Sequence, residues 1–175
     1  MKETLIINLI GGPCSGKSTV AAELFARLKK MGVHCELVSE YIKDRIYEEN
    51  QTMPKNQIAI FGMEHYNISN KIGKDDVIVH DGSFINNIIY KATENKYFDD
   101  LIVSEYKRFW NLDFFIKRGN IEFETYGRIH NLKQSKELDK IIKETYDSYE
   151  LSYIEVESRD AVDKIIPIVL KEINQ

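Results

Sequence analysis

Cysteine is scarce: two residues in 175, Cys14 and Cys35. A pair so placed makes no disulfide framework, so the chain must be held by a packed core. Proline and glycine are also few, three and nine, and no stretch gathers them with serine into a linker. No internal repeat or low-complexity tract is present. A single domain over residues 1–175 is therefore expected. No basic-then-apolar leader opens the chain and no run of about 18 apolar residues occurs, so a soluble cytoplasmic protein with no membrane partner is expected. The net charge is −4, with Lys and Arg spread along the sequence. Without a basic face, duplex nucleic acid is not expected as a standing partner.

What is present begins at residue 11 with GGPCSGKST. Gly11, four residues, then Gly16, Lys17 and Ser18 fit G-x-x-x-x-G-K-[ST], in which backbone N–H groups wrap phosphates, the lysine meets the outer phosphates and the hydroxyl meets Mg²⁺. The expected phosphate cradle is Gly11, Gly12, Pro13, Cys14, Ser15, Gly16, Lys17, Ser18 and Thr19. Pro13 and Cys14 read as filler, and no His accompanies Cys14 to make it a nucleophile. The flanks agree with the motif. TLIINLI before it is a continuous apolar, β-branched run suited to a buried parallel strand. KSTVAAELFARLKKMG after it places Val20, Leu24, Phe25, Leu28 and Met31 at helical spacing, with Gly32 in a C-cap position.

Four further strands are expected in VHCELVSE (33–40), DDVIVHD (75–81), LDFFIKR (112–118) and LSYIEVE (151–157), separated by helical segments. Strand and helix alternating over one domain imply a three-layer α/β/α sandwich around a five-stranded parallel sheet. Ligands of such sheets lie beyond the carboxyl ends of the strands, which selects the phosphate loop, Glu40, Asp81 to Ser83, and Lys117 with Arg118.

The motifs that would assign other phosphate-loop chemistries are missing. NKIG at 70 and NKYF at 95 lack the Asp of a guanine-reading motif; VIVHD runs into Gly82 and Ser83 rather than a water-orienting Glu; no serine-glycine-glycine transporter signature occurs. What remains is phosphoryl transfer to a small molecule, which needs an acid by the acceptor hydroxyl and cations over the transferring group. Glu40 and Asp81 at neighbouring strand ends suit an acceptor-side base and a Mg²⁺ holder, the alternatives being solvated strand-end charges or helix N-caps. Residues 119–134 read as a lid, with Arg128 beside Gly127 as first candidate for a catalytic cation and Arg118 as second. Arg118 is equally suited to a surface ion pair. In FDDLIVSEYKRFW (98–110), Leu101, Ile102, Tyr106, Phe109 and Trp110 form an apolar stripe that fits core packing or, less commonly, a homodimer surface.

GGPCSGKST, SEYIKD, QIAIFGMEH, VHDGS and FETYGR, with Asp139 in the following helix, taken in order from the first strand to about residue 150, resemble the AAA-28-type P-loop kinase-like proteins. That group is common in phages, includes the ribosylnicotinamide kinase domain of bacterial NAD regulators, and is related more distantly to thymidylate and deoxynucleoside kinases. The resemblance implies phosphate binding by Gly16, Lys17, Ser18 and Thr19, an acceptor-side carboxylate at Glu40 and a strand-end acid at Asp81. It also implies Gln57 facing the acceptor's base or ring, with Phe61 as a stacking surface. By its own sequence context Gln57 reads as a solvated helix residue. The relatives usually carry an arginine after the strand-end acid, where this chain has Gly82. The implied function is ATP- and Mg²⁺-dependent phosphoryl transfer to a nucleoside or nicotinamide-riboside-like acceptor. A nucleoside monophosphate kinase using Lys43 and Arg45, and a nucleotide-binding regulator with little turnover, stay open beside it.

Overall fold

The computed structural model describes residues 3–42, 52–92, 94–119 and 131–174. The elements run β1 (Leu5–Ile10), α1 (Lys17–Lys30), β2 (Cys35–Val38), a 3₁₀ turn (Met53–Lys55), α2 (Gln57–Ser69), β3 (Val77–His80), α3 (Asn86–Ile89), α4 (Lys96–Lys107), β4 (Trp110–Lys117), α5 (Leu132–Ser148), β5 (Ile154–Glu157) and α6 (Ala161–Ile173). All five strands pair in parallel in the order β2-β3-β1-β4-β5. The expected sandwich is therefore the observed one. Strand order reverses at β1, whose neighbours are β3 and β4, so the crevice at its carboxyl end opens onto the phosphate loop.

Every residue of β1 is buried, and the pleat sends alternate side chains into two separate cores. Leu5, Ile7 and Leu9 join Leu24 and Leu28 of α1 and Val162, Ile165 and Val169 of α6. Ile6 and Ile10 join Phe61 and Ile68 of α2, Ile102 and Tyr106 of α4, and Ile142 and Tyr146 of α5. Each fully buried aliphatic side chain contributes roughly 1.5–3 kcal/mol. β2, β3 and β5 are four residues each, shorter than the runs that the sequence offers.

Three helix details differ from the sequence expectation. Met31 is the C-cap of α1 and 52% exposed rather than on its buried face. The 98–110 stripe divides: Ile102 and Tyr106 are buried, Phe109 and Trp110 pack against the cores, and Leu101 faces outward. Helix α5 starts at Leu132 rather than near Ser135, because Asn131 and Gln134 close a reciprocal capping box, side chain to backbone in both directions. The expected lid segment thus yields its last three residues to α5. Its centre, residues 120–130 with Gly127 and Arg128, lies outside the described residues, as do Lys43 and Arg45.

Candidate functional site

The loop between β1 and α1 depends on backbone conformations that most residues avoid. Gly11 has φ 138°, Gly16 φ 98°, and Cys14, a non-glycine, φ 59°. Gly12 is required for a different reason. A Cβ there would sit 2.5 Å from the Ser135 carbonyl oxygen and 2.8 Å from Asp139 Oδ1, so the loop can touch α5 only without a side chain. Gly16 is the N-cap of α1 and supplies no side-chain cap, which leaves the helix's first amides to an anion. Lys17 Nζ donates to the carbonyl oxygens of Gly11 (2.6 Å) and Gly12 (3.0 Å), bridging the loop's mouth. Ser18 and Thr19 lie exposed in the first turn of α1. Ser15 Oγ is buried with no partner among the described residues.

A latch holds the loop from behind. Asp139 Oδ1 accepts the Gly12 amide hydrogen at 2.6 Å. Arg118, just past β4, donates to the carbonyls of Pro13 (3.0 Å) and Cys14 (3.3 Å), to Asp139 Oδ2 (3.2 Å) and to Ser135 Oγ. Ser135 Oγ in turn donates to the Pro13 carbonyl. Here the guanidinium fork meets loop carbonyls and a half-buried acid, not a surface acid, so it fixes the loop's shape.

The two acids lie just past the ends of adjacent strands, β2 and β3. The Asp81 amide donates to the Val38 carbonyl at 2.9 Å, which ties the end of β3 to the end of β2, two residues before Glu40. Asp81 is 4% exposed and its Oδ1 has no partner among the described residues. Glu40 is half-buried. Its charge reaches two groups: the phenol of Tyr90, pushed up first by burial and then by Glu40 and Asp139, and the carboxyl of Glu64.

Gln57 and Phe61 are placed otherwise than the resemblance implies. Gln57 is buried, not solvated, and its Nε2 donates to the Pro54 carbonyl at 3.0 Å, holding the start of α2. Phe61 is core: its ring meets Phe84 at 5.3 Å and Phe98 at 5.9 Å, both edge-on. Glu64 lies one turn further along α2. Burial pushes its carboxyl up to about 8, opposed by hydrogen bonding from Asn87 and aided by Glu40.

Beneath Asp81 runs a buried polar chain across the sheet. Asn8 Nδ2 donates to Asp113 Oδ1 (2.7 Å) and Asn111 Oδ1 (3.0 Å), and its Oδ1 meets His80 Nδ1 (3.0 Å). The Tyr146 hydroxyl lies 2.5 Å from Asp113 Oδ2 and 2.9 Å from Ser83 Oγ, two residues past Asp81. Burial raises Asp113 to about 6 against the donors Tyr146, Asn8 and Tyr106, and lowers His80 to about 4, so His80 is neutral. None of this chain was expected from the sequence. One signal was there to find: Ser135, Asp139, Ile142 and Tyr146 share a helical face, and so do Gln57, Phe61, Glu64 and Ile68, so each stripe carries polar residues on its buried side.

Glycine loop, parallel sheet and strand-end acids define a P-loop nucleotide-binding fold of the kinase-like kind. A sequence model of the AAA-28 family, described as AAA domain, matches residues 6–164, and the chain belongs to that family. Among solved structures it is similar to the deoxyadenosine kinase from M. mycoides with products dCMP and a flexible dCDP bound. The identity is 16% and the TM-score 0.55, over 98% of this chain and 99% of that one. It is also similar to Kti12 of Chaetomium thermophilum in complex with ADP-AlF3, with 14% identity and a TM-score of 0.51 over 94% and 98%. At these identities the likeness establishes the fold. No curated protein matches by sequence. Among the described residues no helix is long and apolar enough to cross a membrane, and no group of three or more His, Cys, Asp or Glu is arranged to hold a metal.

Proposed function

We propose that the protein is an ATP- and Mg²⁺-dependent kinase that phosphorylates a nucleoside-like small molecule. The observation that carries this is the Asp81–Val38 tie, by which Asp81, a buried carboxylate whose Oδ1 has no partner among the described residues, follows β3 beside the end of β2, two residues before the half-buried Glu40. The residues suit a Mg²⁺–nucleotide. Gly11 (φ 138°) and Gly16 (φ 98°) hold the loop in conformations that residues with side chains rarely adopt, the first amides of α1 have no side-chain cap, and Ser18 with Asp81 offers the hard oxygen donors that Mg²⁺ prefers. Mg²⁺ so held would neutralise charge on the phosphates.

The chain's own groups then divide the work. Lys17 exchanges the Gly11 and Gly12 carbonyls for phosphate oxygens, and the Arg118–Asp139 latch keeps the loop amides aimed inward. Glu40 accepts the proton of the acceptor hydroxyl. Arg128 is proposed as the lid cation. The test is a panel of nucleosides, nucleoside monophosphates and nicotinamide riboside, scored for ATP-dependent mass gain and acceptor-dependent ADP release. A gain of one phosphoryl group on a nucleoside upholds the proposal. ATP binding with no acceptor modified would make the protein a nucleotide-binding regulator.

A further inference from the structure

The acceptor side holds a pair of side chains that the phosphate chemistry does not use. Asn87, on α3, is 2% exposed and Glu64, on α2, 6%. Asn87 Nδ2 donates to Glu64 Oε2 at 2.8 Å and to the Phe84 carbonyl at 3.2 Å. A carbonyl can only accept, so the nitrogen must face Phe84 and the orientation of the carboxamide is fixed. Both amide hydrogens are thereby used. Asn87 Oδ1 is left buried with no partner among the described residues. An acceptor so orphaned is destabilising, and an N–H from outside would relieve it.

Glu64 is the other half. Among the described residues, the groups that act on it are Asn87 on α3 and Glu40 past β2. Burial beside an anion keeps the carboxyl protonated at neutral pH. Oε2 accepts from Asn87, so the proton belongs on Oε1, which donates. Asn87 Oδ1 and Glu64 Oε1 thus offer one acceptor and one donor past the carboxyl end of β3, where Asn87 follows Asp81 by six residues.

We infer that the Glu64–Asn87 pair is the specificity determinant of the acceptor site, selecting an acceptor whose ring carries an N–H donor next to an acceptor atom: a carboxamide, or the amide-type or amidine-type edge of a nucleobase. The inference rests on the kinase reading for its meaning in turnover. In binding it stands alone. A site built to satisfy a donor–acceptor edge rejects an analogue lacking it far more strongly than apolar contact can, because its own buried groups are then left unpaired.

Three matched pairs of probes test it: adenosine against purine riboside, cytidine against pyrimidin-2-one riboside, and nicotinamide riboside against nicotinic acid riboside. The wild type should prefer the N–H-bearing member of at least one pair by about 10²-fold in kcat/KM. Asn87→Leu, close in volume, should reduce that ratio to under about fivefold by weakening only the N–H-bearing member. Glu64→Gln retains a neutral donor and should hold the ratio within about threefold of wild type. Unchanged ATP affinity and a cooperative melt certify each variant as folded. A preference that survives Asn87→Leu would overturn the inference and leave the kinase reading intact. Should no probe be phosphorylated, the kinase reading falls, and the same pairs are read by titration calorimetry. A Kd ratio that depends on the edge and is lost in Asn87→Leu upholds the inference. Equal binding of both members in every pair overturns it.

Discussion

Replacing Glu64 by Gln should make the protein more stable at neutral pH and leave it unchanged in acid. The sign follows from linkage. In the folded state the carboxyl titrates at about 8, against a reference of 4.5. Between those values the folded state holds a proton that the unfolded state has lost, so stability falls as pH rises through that window. Below about 4.5 both states are protonated and no penalty exists. At pH 7 the unfolded chain gains about 1.36 kcal/mol for each of two and a half pH units, roughly 3 kcal/mol, and above pH 8 the penalty levels near 5 kcal/mol. Glu64 is only 6% exposed, so water does not screen the effect away. Gln has the same shape, accepts from Asn87 in the same way and carries no titrating proton.

The assay is urea unfolding of both proteins at pH 5, 6, 7 and 8, followed by circular dichroism. His80 and Asp113 also titrate out of range, but they are common to both proteins and cancel in the difference. The expected difference is under about 1 kcal/mol at pH 5 and about 3 kcal/mol at pH 7, equivalent for this length to roughly 6–12 °C in Tm. A difference independent of pH, or a Gln variant less stable at pH 8, would refute the reasoning. It would mean that Glu64 is ionised in the fold and supported by a group other than Asn87. A gain in stability from altering a buried residue is expected where the native residue is kept for binding rather than packing.

Lys17→Ala removes the charge at the loop's mouth and should lower phosphoryl transfer by about 10²-fold or more, with stability changed by less than about 1 kcal/mol; wild-type turnover would sink the kinase reading. Asp81→Asn should be partly relieved by raised Mg²⁺, whereas Glu40→Gln should lower kcat at every Mg²⁺ concentration. A titration of both variants separates the roles, and parallel metal dependence would show the assignment to be wrong. Arg118→Ala strips donors from Pro13, Cys14 and Asp139 and should destabilise by about 2–4 kcal/mol. Arg118→Lys should fail to restore ATP affinity, measured by calorimetry, because an ammonium cannot span those acceptors as a planar fork does.

Strands, helices and phosphate loop were legible because each rests on neighbours in sequence. TLIINLI declares a strand buried on both faces, the glycine spacing declares the cradle, and Glu40 and Asp81 inherit their positions from topology alone. The strand order, the Glu64–Asn87 pair and the latch were not legible. Asp139 matters through the amide of Gly12, 127 residues away, and Asn8 through Asp113, 105 residues away. No local pattern encodes such pairings. Phe61 packs into the sheet core and Gln57 holds the Pro54 carbonyl at the start of α2; a motif carried over by order cannot tell which turn of a helix meets the ligand.

Gly82, where relatives carry an arginine, lies beside the buried chain at His80. Asn8 Nδ2 donates to Asp113 and Asn111, so Asn8 Oδ1 is an acceptor and His80 must present a protonated Nδ1 to it. Nε2 is then a bare lone pair, buried and without a partner among the described residues. It lies 3.4 Å from where a Cβ on Gly82 would be, and Gly82 has φ 155°. A side chain at 82 would need a backbone conformation that L residues rarely adopt. It is this backbone, not a lack of room beside His80, that disfavours an arginine there. Charge on the transferring group must accordingly be met from the loop and lid, by Lys17 and Arg128 in the proposed mechanism, while the β3 end supplies only the carboxylate of Asp81 and a turn fastened through Ser83 to Tyr146.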